Sequence, residues 1–288
     1  MAFSLRDQPY ITRGWVRALV FFIAYVGIYF MVGAGAGFLW VMKIGPENAQ
    51  ELVKNPYPLT MTIQMISCLA VIGMALVFRR GVDRASIASM GFTWKGHERE
   101  AVAGFLLGIV LLGGGSLLLY ATGNIDWVDT QFAAGPMAIA FLLFLLTAFS
   151  EEIAFRGYIL NNLLSSFNKW IALGAAAVLF MLMHLGNANL TPVAFINLLA
   201  GGVLLGMNYV FVRNLWFSIC FHFSWNFFQG SILGYEVSGL GLQSLFQMDR
   251  KDNLLLTGGA FGFEGSIVAT GLLVLAILFV AYRRWWKW

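Results

Sequence analysis

Charged residues are scarce in this chain, and this scarcity limits what kind of protein it can be. Asp, Glu, Lys and Arg make up 11% of the 288 residues, whereas a soluble domain usually contains about 25%. Hydrophobic residues make up 59%. The composition therefore excludes an ordinary soluble globular protein and predicts a surface that faces lipid. The chain also has no long basic run, so nucleic acid is not an expected partner.

Cysteine is rare as well, and familiar catalytic motifs are missing. Cys68 and Cys220 both lie in apolar stretches, without a CxxC pair or a disulfide framework, and are expected to be packing residues. The sequence contains neither the GxSxG turn of serine hydrolases nor the HExxH helix of zinc peptidases. These absences disfavour catalysis by a covalent nucleophile.

Long apolar stretches dominate what is present. A helix of about 20 apolar residues crosses a bilayer, and this length predicts an all-α, polytopic membrane bundle of about eight helices in one domain, residues 1–288. The first stretch is too long for a signal-peptide core and is expected to be retained. The predicted spans are Ala18–Met42, Tyr57–Phe78, Ala101–Thr122, Pro136–Ser166, Trp170–Leu185, Pro192–Val212, Leu215–Leu233 and Ser266–Tyr282.

Basic residues are distributed unevenly between the two sides of this predicted bundle. If the N-terminus is inside, only Lys43, Lys54, Arg250 and Lys251 of the 18 Lys and Arg residues fall in outer segments. Cytoplasmic segments of membrane proteins are enriched in Lys and Arg. The bias therefore predicts an integral membrane protein with both termini in the cytoplasm.

Polar side chains occur in three clusters within the predicted helices. An ionisable residue at the centre of a membrane helix costs about 2.5–3.5 kcal/mol on insertion scales, so its presence suggests a function. A purely structural role, in which these groups only join helices, is the alternative. The clusters are Glu151-Glu152-x-x-x-Arg156, Phe180-x-x-x-His184 and His222-x-x-x-Asn226.

The spacing within each cluster predicts which side chains meet. Residues four apart share a helical face, so Glu152 is expected to pair with Arg156, and Glu151 points about 100° away. A turn near Asn168 would join the fourth and fifth helices and place Glu152 and His184 at one level. The three clusters are therefore expected to form one buried site.

These residue types permit hydrolysis of a carbonyl compound by water. A buried carboxylate can act as a general base, and a histidine beside it can orient the water. A second histidine and an amide can donate hydrogen bonds to the developing oxyanion. Glu151, His184 and His222 are also ligand types that suit zinc, so a divalent metal is a second possibility.

The three clusters resemble the motifs of a known family. Glu151-Glu152-Ile-Ala-Phe-Arg156-Gly157-Tyr158, Phe180-Met-Leu-Met-His184 and His222-Phe-Ser-Trp-Asn226 are similar in order and spacing to the three motifs of the CAAX prenyl protease and bacteriocin-processing (ABI) family. A segment ending in Glu264-Gly-Ser resembles bacterial members. The resemblance implies a catalytic core at about residues 136–233 and a bacterial plasma membrane.

The same resemblance implies a role for each motif residue. Glu151 would be the base, His184 would hold the water, and His222 and Asn226 would stabilise the oxyanion. Glu152 and Arg156 would support the site. The implied activity is that of the type II CAAX prenyl endopeptidase, either glutamate-type or metal-assisted. The implied partner is a protein or peptide substrate, either with or without a covalently attached lipid.

Two readings without proteolysis stay open at the level of sequence. One is a membrane scaffold or bacteriocin-immunity protein that sequesters a partner. The other is a transporter, because buried carboxylates and histidines also form proton relays. A transporter would be expected to show inverted repeats, and the sequence shows none.

Overall fold

A computed structural model describes residues 8–45 and 57–285, so Arg6, Lys54 and Lys287 lie outside the described residues. Its long helices are α1 Gly14–Ile44, α2 Tyr57–Gly81, α3 Glu98–Ala121, α4 Ala134–Glu152, α6 Lys169–Met183, α7 Pro192–Val212, α8 Trp216–Phe227 and α10 Ile267–Trp285. The short helices are α5 Asn161–Leu163 and α9 Leu254–Thr257. The strands are β1 Ile125–Thr130 and β2 Phe246–Arg250.

The predicted all-α membrane class is confirmed, but the count of eight spans is not. Within the described ranges, six helices are long and apolar enough to cross a membrane. They are α1, most of α2, α3, the continuous helical stretch Ala134–Leu163, Lys169–Gly186 and α7. The predicted seventh and eighth spans correspond to α8 and α10, which are helical but shorter in their apolar length.

Local sequence explains where the central helices begin. The side chain of Asn168 accepts hydrogen bonds from the backbone N–H groups of Trp170 and Ile171 and so caps the start of α6. Thr191 caps α7 by accepting from Ala194 N–H, and Pro192 occupies the first turn. The Asn168 cap thus ends the predicted turn before α6, and the Thr191 cap ends the predicted turn between α6 and α7.

Glycines allow α3 and α8 to pack closely. A Cβ atom added to Gly104 would lie 2.2 Å from the carbonyl oxygen of Phe217, and one added to Gly108 would lie 2.2 Å from Ser224 Oγ. Helix α8 also packs on α4, and α7 packs on α6 and α10. Small residues at helix interfaces permit this kind of approach in lipid. The close contact holds α8 beside the motif-bearing part of α4.

A two-stranded sheet, which the sequence did not predict, marks one end of the bundle. Strands β1 and β2 pair antiparallel, with an irregularity between Trp127 and Asp129. Strand β1 follows α3 in the chain, and β2 follows α8. The sheet therefore lies at the end of the bundle where α3, α6 and α8 end and where α4, α7 and α10 begin. We call this the sheet end.

The opposite end of the bundle contains most of the described cations. It includes Arg79, Arg80, Arg84, Lys95, Arg99, Lys169 and Arg213, and we call it the basic end. A buried polar cluster closes it. Asp83 accepts hydrogen bonds from Arg79 (2.7 Å), Tyr158 (2.9 Å) and Asn162 (3.1 Å) and lies 3.5 Å from Arg17.

Candidate active site

The two adjacent glutamates lie at the end of α4, where the helix changes its winding. Glu151 and Glu152 are its last residues, and Ile153–Leu160 continue as π-helical turns that lead into α5. Such wide turns inside helices often occur at functional sites. The segment is buried throughout, so both carboxylates are held in the interior of the bundle.

Glu152 is held by neighbouring side chains through Oε1, while its Oε2 is buried without a donor among the described residues. Arg156 Nη1 donates to Glu152 Oε1 over 2.8 Å, which confirms the predicted pair. His222 Nδ1 lies 2.9 Å from the same oxygen, so the carboxylate joins α4 to α8. Arg156 also donates to the Gly202 carbonyl of α7 and lies over the ring of Phe180. A charge buried in this way is compensated on several sides.

Glu151 has a different environment. Its Oε2 atom is buried and, among the described residues, makes no hydrogen bond to a protein group. His222 Nε2 lies 3.8 Å from this oxygen, which is beyond hydrogen-bond distance. A buried carboxylate oxygen without a protein donor is costly unless it serves a ligand or a reaction. Glu152 Oε2 also lacks a donor, but only Glu151 lines the central cavity, so Glu151 is the carboxylate that an incoming group can reach.

His184 directly follows Met183, the last α-helical residue of α6, and the helical stretch Lys169–Gly186 agrees with the predicted span Trp170–Leu185 to within one residue at each end. Its ring Nδ1 lies 2.8 Å from the Phe180 carbonyl oxygen, the acceptor that its own backbone N–H would use in a continued α-helix. The chain then turns through the short 3₁₀ segment His184–Gly186. Because Nδ1 faces a carbonyl, it is the donor, and Nε2 is the acceptor.

Phe180 brings the two histidines into one neighbourhood. Its ring centroid is 4.8 Å from that of His184 and 6.3 Å from that of His222. The ring is buried and shields this part of the site from lipid. Phe180 and His184 of the second motif thus lie close to the residues of the first and third motifs.

A cavity of about 910 Å³ connects the predicted site residues. Glu151, His184, His222 and Asn226 all line it, and most of the remaining wall is apolar. Enzyme pockets typically combine such a wall with a few convergent polar groups. Glu152 and Arg156 do not line the cavity and instead support it from behind.

Glu264 is a cavity-lining residue whose role could not be predicted from its position in the sequence. It lies in the short turn Phe263–Gly265 before α10 and lines the same cavity. Its carboxylate accepts hydrogen bonds from Trp225 Nε1 (3.1 Å) and Ser238 Oγ (2.8 Å). The family-like segment contained Glu264, but only the fold shows that Trp225, next to the third motif, reaches it.

The predicted divalent metal would be bound by Glu151, His184 and His222. Within residues 8–45 and 57–285, no group of three His, Cys, Asp or Glu side chains is arranged to hold a metal ion. The Nδ1 atoms of His184 and His222 face a carbonyl and a carboxylate of the protein, and histidines that bind zinc through Nε2 make the same contacts. The metal therefore stays a prediction.

Fold and site together define a class, an α-helical integral membrane protein with a buried glutamate and histidine centre. Residues 133–228 match the family described as Rce1-like, type II CAAX prenyl endopeptidase Rce1-like. The predicted family is thereby confirmed for this segment, which contains all six predicted site residues. The match supports the assignment of a CAAX-type intramembrane protease that acts on a protein substrate. No curated protein and no solved structure matches the chain.

Proposed function

We propose that this chain is a glutamate-type intramembrane endopeptidase that hydrolyses a peptide bond within the cavity. The observation that carries the proposal is the contrast between the two glutamates. Glu152 is held through Oε1 by Arg156 and His222 and lies behind the cavity wall, whereas Glu151 lines the cavity with a buried Oε2 that has no hydrogen-bond donor in the described protein. That asymmetry suits one carboxylate for support and the other for proton transfer.

The first step is attack by water. Glu151 accepts a proton from the water molecule, and the oxygen forms a bond to the carbonyl carbon of the substrate. His184 Nε2, an acceptor because Nδ1 donates to Phe180, accepts a hydrogen bond from the second O–H of the water and orients the oxygen. Holding both reactants in one apolar cavity lowers the entropic part of the barrier.

The second step is collapse of the tetrahedral intermediate. In its protonated form His222 donates through Nδ1 to Glu152 and keeps an Nε2–H on the side of Glu151 and the cavity. That N–H and the Asn226 amide would donate to the negatively charged oxygen. The carbon–nitrogen bond then breaks, and Glu151 returns its proton to the leaving amine.

Membrane location and orientation complete the proposal. The apolar helices and the family match indicate an integral membrane protein. We assign it to a bacterial plasma membrane with both termini in the cytoplasm, because the basic end collects the cations that mark cytoplasmic segments.

Peptide cleavage by the purified protein tests this function. Two probes are needed, a farnesylated CAAX peptide and an amidated apolar peptide, each incubated in detergent with wild type and with Glu151→Gln. We expect cleavage of at least one probe by wild type, unchanged by a chelator, and none by Glu151→Gln. If a probe peptide binds but is cleaved by neither wild type nor Glu151→Gln, the result would instead support the alternative of a membrane scaffold that sequesters a partner. Loss on chelation and recovery with zinc would contradict the glutamate-type mechanism.

A further inference from the structure

Two side chains of the cavity wall carry a buried acceptor atom that no protein group satisfies. Among the described residues, Glu151 Oε2 and Asn197 Oδ1 both lack a hydrogen-bond partner, and both residues line the cavity. In the described part of the chain, the other buried polar side-chain atoms without a partner belong to residues that do not line it. Glu151 serves the attacking water in the proposed mechanism, whereas the oxygen of Asn197 has no role in it.

The amide of Asn197 is held in one orientation through its nitrogen. Nδ2 donates to the backbone carbonyls of Glu264 (2.8 Å) and Ser266 (2.9 Å), which directly precede α10. Because both partners are acceptors, the nitrogen must face them, and its two N–H groups are used there. A flipped amide would place Oδ1 against two carbonyl oxygens. The side chain is only 2% exposed, so its oxygen is fixed and withheld from bulk solvent.

The face of α7 that contains Asn197 leaves room for a peptide chain. Leu198, Gly201 and Leu205 also line the cavity from this helix, and Gly201 lies one helical turn, about 6 Å, after Asn197. A Cβ atom added to Gly201 would meet no described atom within 4 Å. The wall beside Asn197 is therefore open and apolar, and a ligand there can approach the helix closely.

Hydrogen bonds connect this part of α7 to the catalytic centre. Arg156 donates to the Gly202 carbonyl of α7 over 3.2 Å. Trp225, within the third motif, donates to the carboxylate of Glu264, and the backbone carbonyl of that residue accepts from Asn197. A group bound to Asn197 Oδ1 would therefore be held at a fixed place relative to the reacting groups, which lowers the entropic part of the barrier.

The chemistry of an amide oxygen limits what can bind to it. Such an oxygen only accepts hydrogen bonds, so its partner must bring a donor. A peptide segment that enters an apolar cavity carries a backbone N–H on every residue except proline, and each N–H loses its hydrogen bonds to water. An N–H left unpaired there is costly, as is the unpaired oxygen of Asn197. The two groups satisfy each other whatever the side chains of the peptide.

We propose that Asn197 is a substrate-binding residue whose Oδ1 accepts a hydrogen bond from a backbone N–H of the peptide substrate. The inference rests on the proposed peptidase function and adds to it a contact that holds the substrate backbone along α7. Glu151 then acts on a carbonyl whose position is set from the opposite part of the chain, through the anchored amide of Asn197.

Amide-to-ester exchange in the substrate tests this contact. In a set of peptides based on the probe that is cleaved, each backbone N–H except that of the cleaved bond is replaced in turn by an ester oxygen. This exchange removes the donor with little change in shape. We expect wild type in detergent to lose about fivefold in kcat/KM for one ester of the set, the size of one neutral hydrogen bond. Asn197→Leu, of similar size but without the oxygen, should cleave the amide peptide more slowly and should not distinguish that ester from it.

Asn208→Leu is the matched control, because Asn208 is a buried asparagine of the same helix that does not line the cavity. It should discriminate against the same ester as wild type does. A discrimination that persists in Asn197→Leu, or that Asn208→Leu loses as well, would overturn the inference.

Gly201→Leu tests the same contact without removing a hydrogen bond of Asn197, and it applies even if Asn197→Leu does not fold. It fills the open space one turn away, so we expect a higher KM for the amide peptide. Gly174→Leu, at an exposed position of α6 where an added Cβ atom also meets no described atom within 4 Å, should keep the wild-type KM. A folded Gly201→Leu with the wild-type KM would contradict the inference.

Binding measurements separate failure of this inference from failure of the proposed function. Wild type that cleaves the amide peptide through Glu151 but treats all the esters alike keeps the function and loses the inference. If wild type cleaves nothing, the function fails, and the Kd values of the amide and ester peptides still test Asn197. A Kd about fivefold weaker for one ester in wild type, and equal to that of the amide in Asn197→Leu, would support the contact. Equal Kd values across the set in wild type would overturn it.

Discussion

At the scale of single residues, the site depends on unequal partners for two adjacent carboxylates. Helical spacing was sufficient to predict that Glu152 pairs with Arg156, because residues four apart always share a face. Spacing could not predict that His222 approaches both glutamates, since this depends on the packing of α8 against α4. The role of Glu264 was hidden for the same reason.

Substitution of Arg156 should distinguish a loss of stability from a loss of catalysis alone. Arg156→Ala leaves Glu152 buried with His222 as its remaining partner, and loss of one member of a buried pair typically costs about 3–5 kcal/mol. We expect lower thermal stability in detergent together with lost activity. Glu151→Gln should lose activity alone. Melting temperature and peptide cleavage measured on both variants check this.

Arg80→Ala serves as the control, because Arg80 is an exposed arginine at the end of α2. It should melt and cleave like wild type. If Arg156→Ala melts like wild type while Glu151→Gln is destabilised, the roles of the two glutamates have been exchanged.

At the scale of elements, the apolar stretches predicted the positions of the long helices but not their internal details. The predicted span Pro192–Val212 is the observed α7, since Thr191-Pro192 is a clear start signal. The π-helical turns after Glu152 and the change from α-helix to a 3₁₀ turn at His184 were not predicted. Both depend on side-chain and packing interactions that a hydrophobic pattern does not contain.

The α3–α8 interface gives a prediction about helix packing. Gly104→Ala would place a methyl group against the Phe217 carbonyl oxygen, 2.2 Å away before any adjustment. Overpacking of this kind typically costs about 1–3 kcal/mol. We expect a lower melting temperature and weaker peptide cleavage, because α8 positions His222 and Asn226.

Gly114→Ala is the matched control in the same helix, since a Cβ atom there meets no described atom within 4 Å. It should melt at or above the wild-type temperature, because alanine favours helix over glycine. Equal destabilisation by the two substitutions would show that α3 and α8 do not approach as closely as described.

At the scale of the whole molecule, the protein is a lipid-facing bundle with a basic end, a sheet end and a cavity between its helices. Exposed apolar side chains such as Phe30, Val110 and Leu275 suit a lipid surface and were implied by composition. The charge bias between the ends was also readable from the sequence. The cavity and the small sheet were not, because they arise from contacts between residues that are distant in sequence.

We propose that Glu151, on one of three converging helices, activates water for hydrolysis, and single-turnover cleavage by Glu151→Ala and Asn226→Ala checks this role. We expect Glu151→Ala to remain folded but to cleave nothing, and Asn226→Ala to be slower by about 10²–10³-fold, as for one lost oxyanion donor. Cleavage by Glu151→Ala at nearly the wild-type rate would show that Glu151 is not the base.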